Sequence, residues 1–285
     1  MSTPTLPPVP ASEHSLFKPV AVKLFSLVYR SADGTAYVKV YRGIEPDARR
    51  DRETDGLQLA ARLGIFAPDV RRTGQAEAGP WIEVSAVPGR PCAIGDSRAL
   101  THYLDRVFTT TGLLHRSTVP AHEGSHRSHL LSQLSSRCRA LSWWPVLHAA
   151  LADVDDAQPV HLHGDLKPEH FIVEGRHLSV IDWESSTVGP AIRDHADAAF
   201  HLVRDLLYAG TSPQHIPVQH IGQLPVIGSA LAWRIALWLD RRRPTDIALL
   251  AVGDIEALAT TATADAAVRT CATVTAGLLS AGVPR

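Results

Sequence analysis

The chain has 285 residues, 45% of them hydrophobic, with 28 Lys+Arg against 29 Asp+Glu and a formal net charge of −1. That length holds two lobes with a core each, and the near-zero charge excludes a general attraction to nucleic acid or an anionic membrane. Three widely spaced cysteines, Cys92, Cys138 and Cys271, argue against a disulfide framework and for a reducing, cytoplasmic setting. The first residues lack the basic and apolar regions of a signal peptide. Apolar stretches are interrupted well short of a membrane span.

In chain order, residues 1–12 are rich in Pro, Ser and Thr and read as a flexible lead-in. Residues 20–30 and 35–42 read as two strands joined by the Ala32-Asp33-Gly34 turn. Helical periodicity runs over 51–63 and stops at Gly64. Strands follow at 70–72 and 81–86, then a connector at 87–91 containing Pro88, Gly89 and Pro91. Beyond it the pattern is mostly helical, over 97–115, 128–151, 192–208, 228–240 and 244–279.

Between those helices lies the most informative segment. Val160-His161-Leu162 leads as a strand into His163-Gly164-Asp165-Leu166-Lys167-Pro168-Glu169-His170. Phe171-Ile172-Val173 and Leu178-Ser179-Val180-Ile181 then form a strand pair around Glu174-Gly175-Arg176, ending in Asp182-Trp183-Glu184. Pro168 has no N–H for a ladder, which suits a loop. Two carboxylates, Asp165 and Asp182, thus flank a hairpin. Phosphoryl transfer from a nucleotide uses such a pair, one acid to orient the acceptor hydroxyl and one to hold the magnesium that bridges the phosphates.

These residues resemble the aminoglycoside phosphotransferase and choline kinase group, relatives of the protein kinases, at His163, Asp165, Asp182, Trp183 and Glu184. The resemblance implies an α+β, bilobal protein-kinase-like fold, with a β-rich N-lobe over 13–87 and a mostly helical C-lobe over 88–285. It implies ATP or GTP as phosphoryl donor with Mg2+. It makes Asp165 the base and Asp182 a metal ligand, with His163 buttressing the loop and Asp194 accepting loop N–H bonds from a helix start. Lys39 is the phosphate-binding lysine of the third strand. Glu53 is its partner on the next helix, with Asp51 and Asp55 as rivals. The backbone of Glu83, Val84 and Ser85 meets the adenine edge. Ser26 is either a phosphate contact in a loop before the second strand or an ordinary strand serine.

Two residues depart from the small-molecule pattern. Lys167 copies the Ser/Thr protein kinase loop, where a cation stabilises charge on the moving phosphoryl group; its alternative is a solvated loop lysine. His170 stands where the group has Asn. It either ligates a metal through nitrogen, which invites Mn2+, or hydrogen-bonds Asp165, or marks a lost second metal site, as in a pseudokinase scaffold.

The acceptor is read from charge. Aminoglycosides carry several ammonium groups and call for clustered carboxylates, yet the acids beyond residue 200 are scattered and balanced by arginines. A neutral hydroxylated small molecule, or a Ser/Thr side chain of a peptide, fits better. The peptide option extends to a ribosomal natural-product precursor, with a partner enzyme completing the modification. His122, His126 and His129 lack Cys or carboxylate partners at zinc spacing and read as a solvated loop. Arg241-Arg242-Arg243 reads as a helix end.

Overall fold

The computed structural model describes residues 16–119 and 125–284. The expected lead-in over 1–12 and His122 lie outside the described residues. The chain divides into two compact units, one running through Pro91 and including His170–Thr187, the other made of Cys92–Glu169 and the residues from Val188 on. Among the described residues no helix is long and apolar enough to cross a membrane.

The first unit is built on a five-stranded antiparallel sheet of order β1-β2-β3-β5-β4, formed by β1 (Phe17–Val22), β2 (Ser26–Ser31), β3 (Ala36–Tyr41), β4 (Val70–Ala76) and β5 (Gly79–Ser85). Alternation buries Leu27 and Tyr29 of β2 and Val38 and Val40 of β3 with Phe17 and Trp81 in one core. Residues 20–30, read from sequence as one strand, are two antiparallel strands that reverse at Lys23-Leu24-Phe25. There the Lys23 N–H donates to the Ser26 C=O at 2.8 Å and the Arg42 N–H to the Phe25 C=O at 2.9 Å. The run has neither Gly nor Pro within it and is mostly apolar, so the single Lys23 did not mark the reversal.

Helix α1 (Pro46–Arg62) starts a turn and a half earlier than its apolar pattern suggests, with proline in its first turn. It buries Glu53, Gly56, Leu57, Leu59 and Ala60. A second, three-stranded sheet pairs β6 (Arg90–Pro91) with β8 (Phe171–Glu174), and β8 with β9 (His177–Val180). This pairing, with the approach of α1 to Trp183 and Ser186, gathers residues 170–187 into the first unit. Trp183 is fully buried and its indole N–H donates to the Val180 C=O at 2.9 Å.

The second unit is mostly helical. It holds α2 (Ser97–Leu114), α3 (His126–Ser132), α4 (Trp144–Ala150), α5 (Ile192–Tyr208), α6 (Val218–Ile221), α7 (Gly228–Asp240), α8 (Val252–Ala259) and α9 (Ala264–Ser280), with β7 (Pro159–Leu162) paired to β10 (Thr187–Pro190). All of α7 is buried, and α5 is buried from Arg193 through Val203, so these two helices form the centre of the core. Two expected long helices are broken. Residues 128–151 become α3, a 3-10 turn and α4, because Ser135 bonds Asp240 through both N–H and Oγ and Pro145 starts a new helix. Residues 244–279 break where Thr263 caps α9, its hydroxyl accepting from the Ala266 N–H. His126 and His129, read as loop residues, lie on α3, capped by Ser125. Arg241 does end α7, while Arg242 donates to the Tyr208 hydroxyl and Arg243 pairs with Asp246. The β-rich first unit and helical second unit agree with the α+β reading.

Gly56 gives the tightest test of packing in the first unit. A Cβ there would stand 2.9 Å from Ser186 Cβ and 3.0 Å from Trp183 Cβ. In an open helix Gly→Ala stabilises by about 1 kcal/mol. Here we expect Gly56→Ala to lower the thermal midpoint, and Gly56→Val to cost about 1–3 kcal/mol by overpacking, measured by denaturant unfolding. A gain in stability for Gly56→Ala would contradict this packing.

Candidate functional site

In the first unit a single ammonium group organises the polar interior. Strand β3 carries Lys39 between the buried Val38 and Val40. Its Nζ lies 2.7 Å from Glu53 Oε2, 2.6 Å from Asp182 Oδ1 and 3.0 Å from Glu184 Oε2. Burial alone would lower the lysine's pKa, but Asp182, Glu53, Tyr41 and Glu184 outweigh it and hold the pKa well above its usual value. Glu53 also accepts a hydrogen bond from the Tyr41 hydroxyl. Burial raises the Glu53 pKa, the Lys39 charge opposes that rise and the Asp182 charge adds to it. Of the rivals, Asp51 is exposed and pairs with Arg50, and Asp55 is exposed.

Asp182 follows β9 with φ 64°, ψ 62°, one of two non-glycine residues with positive φ among those described. Such a conformation costs of order 1–3 kcal/mol, and surrounding contacts must hold it. The Ile181 N–H donates to the His170 C=O at 2.9 Å, and His170 Nε2 lies 3.2 Å from Asp182 Oδ2. Glu184 is further held by Arg49 at 2.8 Å, whose other nitrogen donates to the Phe25 and Arg42 carbonyls.

Glu53, Asp182 and Glu184 offer carboxylate oxygens within 4.8 Å of one another. Their counter-charges are Lys39, Arg49 and Lys23, the last 3.9 Å from Asp182, and the three carboxylates present hard oxygen ligands, a donor set that fits Mg2+ or Mn2+. Ser26 is buried at the first position of β2, opposite Tyr41, and does not stand in a loop before the strand. The Glu83 carboxylate pairs with Arg72 at 2.5 Å. Glu83 and Val84 sit in ladders with both β3 and β4, while the Ser85 and Ala86 N–H groups donate to the Asp69 and Thr35 carbonyls.

In the second unit the loop after β7 is fastened by Asp194 at the start of α5. Its carboxylate accepts the Gly164 N–H at 2.8 Å and the His163 N–H at 3.2 Å, and His115 Nε2 lies 3.2 Å away. Gly164 has φ +77°, which lets the loop turn without a Cβ penalty. Burial would raise the Asp194 pKa, yet His115 and the loop N–H bonds bring it below the usual carboxylate value. The fully buried His163 accepts the Asp165 N–H on Nδ1 at 3.3 Å, and the Tyr103 hydroxyl donates to the Leu166 C=O at 3.0 Å. Asp165 is thereby presented on a fixed backbone, 21% exposed, with Lys167 Nζ 3.2 Å from its Oδ2. Lys167 also reaches Glu169 at 3.5 Å, so it is not a freely solvated lysine.

Sequence reasoning missed Asp197, His201 and Arg234. Asp197 is buried, and although burial raises its pKa, Arg234 and His201 hold it well below the carboxylate range. Asp197 and His201 are one helical turn apart on α5, an ordinary helix pairing with no motif to mark it. Glu184 was seen as part of a motif without a role, and Arg49 was not seen.

A model of the phosphotransferase enzyme family matches residues 23–212. The chain belongs to that family. It is a phosphotransferase with a hydroxyl group as acceptor. A comparison with curated proteins by sequence gives no match. Among solved structures, a choline/ethanolamine kinase family protein from Mesorhizobium loti is similar at 15% identity, covering 90% of this chain and 92% of that one, with a TM-score of 0.55. A macrolide 2'-phosphotransferase from Brachybacterium faecium is similar at 21% identity, with 90% and 92% covered and a TM-score of 0.52. An APH(2'')-type enzyme in complex with GDP and kanamycin is similar at 13% identity, with 79% and 84% covered and a TM-score of 0.55. At such identities the likeness concerns the fold, which is protein-kinase-like as the sequence motif implied.

The anchor around Asp194 carries a pH signature. His195 packs edge-on against His115 with ring centroids 5.2 Å apart. Burial, helped by His115 and opposed by Asp194, lowers its pKa to about 4. The folded chain therefore favours the neutral ring. The associated stability is full above the unfolded histidine value of about 6.5 and is lost as pH falls toward about 4. We expect unfolding free energy to drop between pH 7 and pH 5 by roughly 1–2 kcal/mol more in the unsubstituted chain than in His195→Gln. Equal slopes in denaturant titrations would refute this.

Proposed function

We propose that the chain transfers the γ-phosphoryl group of ATP or GTP to a hydroxyl of a small, uncharged, hydroxylated molecule. The observation that carries this reading is Lys39, a buried ammonium already surrounded by three oxyanions. A nucleotide's phosphates present the same ligand chemistry to it. Glu53, with the Tyr41 hydroxyl behind it, keeps the lysine in place.

Asp182 and Glu184 would hold the divalent cation, which when bound supplies positive charge to the phosphate oxygens. His170, 3.2 Å from Asp182, orients that carboxylate. Asp165 orients the acceptor hydroxyl and takes its proton, and Lys167 stabilises charge on the transferred group. With the Ser85 and Ala86 N–H groups bonded inside the sheet, base recognition falls to carbonyl groups there and to the connector that follows. Small hydroxylated acceptors are supported by the family. The scattered acids beyond residue 200 support an uncharged one over an aminoglycoside.

Four measurements test this. ATP with Mg2+ or Mn2+ should raise the thermal midpoint, since a ligand that binds only the folded state must stabilise it; Lys39→Met should remove most of that shift. Asp165→Asn should lower kcat by about 10²–10⁴ with nucleotide binding retained, whereas Asp182→Ala should abolish both turnover and the metal-dependent part of binding. Near-normal rates in either variant would overturn the roles given. Incubation with neutral polyols, aminoglycosides and Ser/Thr peptides should give phosphorylated polyol. Turnover of peptide alone would replace the acceptor class, and nucleotide binding without any turnover would mean a pseudokinase. His170→Asn should preserve Mg2+-dependent activity.

A further inference from the structure

A buried charged cluster in the second unit has no part in the roles given above. His201, with a side chain only 3% exposed, places Nε2 3.5 Å from Asp165 Oδ1 and 3.4 Å from Asp197 Oδ1. Arg234 reaches in from α7, donating through Nε to Asp197 Oδ1 at 2.5 Å, with Nη2 2.8 Å from His201 Nε2 and the guanidinium 4.8 Å above the Phe200 ring. A guanidinium only donates hydrogen bonds. At 2.8 Å it is closer to Nε2 than either carboxylate oxygen, at 3.4 and 3.5 Å, so we assign the lone pair to Nε2 and the imidazole proton to Nδ1.

The cluster is incompletely paired. His201 Nδ1, Asp197 Oδ2 and Arg234 Nη1 are buried without a hydrogen-bond partner among the described residues. Buried ions with unsatisfied atoms serve stability poorly, and apolar side chains of the same volume would fill this core at least as well. What distinguishes the cluster is where it ends. Lys167 occupies one oxygen of Asp165, Oδ2, while the other, Oδ1, faces His201.

We propose that His201 is a positioning residue acting through Asp165, its Nε2 lone pair receiving the proton that Asp165 takes from the acceptor hydroxyl. This role rests on the reading of Asp165 as the base. As the acceptor oxygen bonds to phosphorus its O–H bond breaks and the proton moves to Asp165, while the nucleoside diphosphate leaves with the electron pair of its former bond to phosphorus. The proton then passes from Oδ1 to Nε2, and Arg234 Nη2 gives up its hydrogen bond while Nε keeps Arg234 on Asp197. The imidazolium rests between the carboxylates of Asp165 and Asp197, and once the phosphorylated product has left, the proton returns through Asp165, which is 21% exposed, to solvent, restoring the neutral ring. Tyr103 of α2 and Arg193 of α5 also lie within electrostatic reach of Asp197.

The test compares His201→Gln with Asp165→Asn across pH. For His201→Gln we expect kcat to fall about 10-fold or more, KM for nucleotide and acceptor to stay within about two-fold, and the deficit to shrink as pH rises and solvent accepts the proton instead. Asp165→Asn inactive beside a fully active His201→Gln with an unchanged pH profile would overturn the relay alone. A fully active Asp165→Asn would overturn the base reading beneath it. Nitrogen-15 NMR of the unsubstituted enzyme needs no variant to fold. It should find the resting His201 ring neutral and protonated on Nδ1, and a resting ring protonated on Nε2 would overturn the relay.

Discussion

An ammonium group taken out of water has to be surrounded by negative charge, and in the first unit the meeting of β3, α1 and the segment after β9 follows from that requirement at Lys39. Its strand neighbours Val38 and Val40 are in the hydrophobic core, so the side chain leaves a buried strand on the opposite face. Glu53 comes from α1, and Asp182 and Glu184 from the segment after β9. Helix, sheet and hairpin are thus tied at one nitrogen. Exposed ion pairs are worth little because water competes for both charges. Here burial removes that competition, and the loss of one partner would leave the others uncompensated.

The second unit solves a different problem, that of fixing a loop. A turn cannot hold a carboxylate in place unless its own N–H groups have acceptors. Asp194 supplies two of them, from the first turn of a helix whose body is buried. His163 adds a third bond from within the loop and Tyr103 a fourth from α2. The loop is rigid because each of its anchors stands on a helix or is itself buried.

The legible part of the sequence was the part with fixed local spacing. His163, Asp165 and Asp182-Trp183-Glu184 stand at intervals dictated by one loop and one hairpin, so their order in the chain carries their geometry. Lys39 and Glu53 were pointed to by the resemblance, which places a lysine on the third strand and a glutamate on the next helix, and the structure holds the two side chains 2.7 Å apart. Asp194 was found as the helix-start acceptor. Arg234, by contrast, meets Asp197 from 37 residues away, and nothing in Ala-Trp-Arg-Ile announces that partner. The same limit governed the fold. Local periodicity continued through 128–151 and 244–279, where a distant carboxylate and a threonine cap interrupt the helices. It also missed the reversal at 23–25, where no Gly or Pro separates the two strands.

Gly56 and Trp183 lie far apart in the sequence, yet sterically they are a single character. The Cβ atoms of Trp183 and Ser186 take the space that a missing side chain leaves on α1, and α1 carries Glu53 three residues earlier. Drift at either position would tilt the helix or displace the residue next to Asp182. Among relatives of this chain, a side chain at position 56 should therefore appear only where the backbone carrying positions 183 and 186 has withdrawn from α1, whatever the size of the residue at 183.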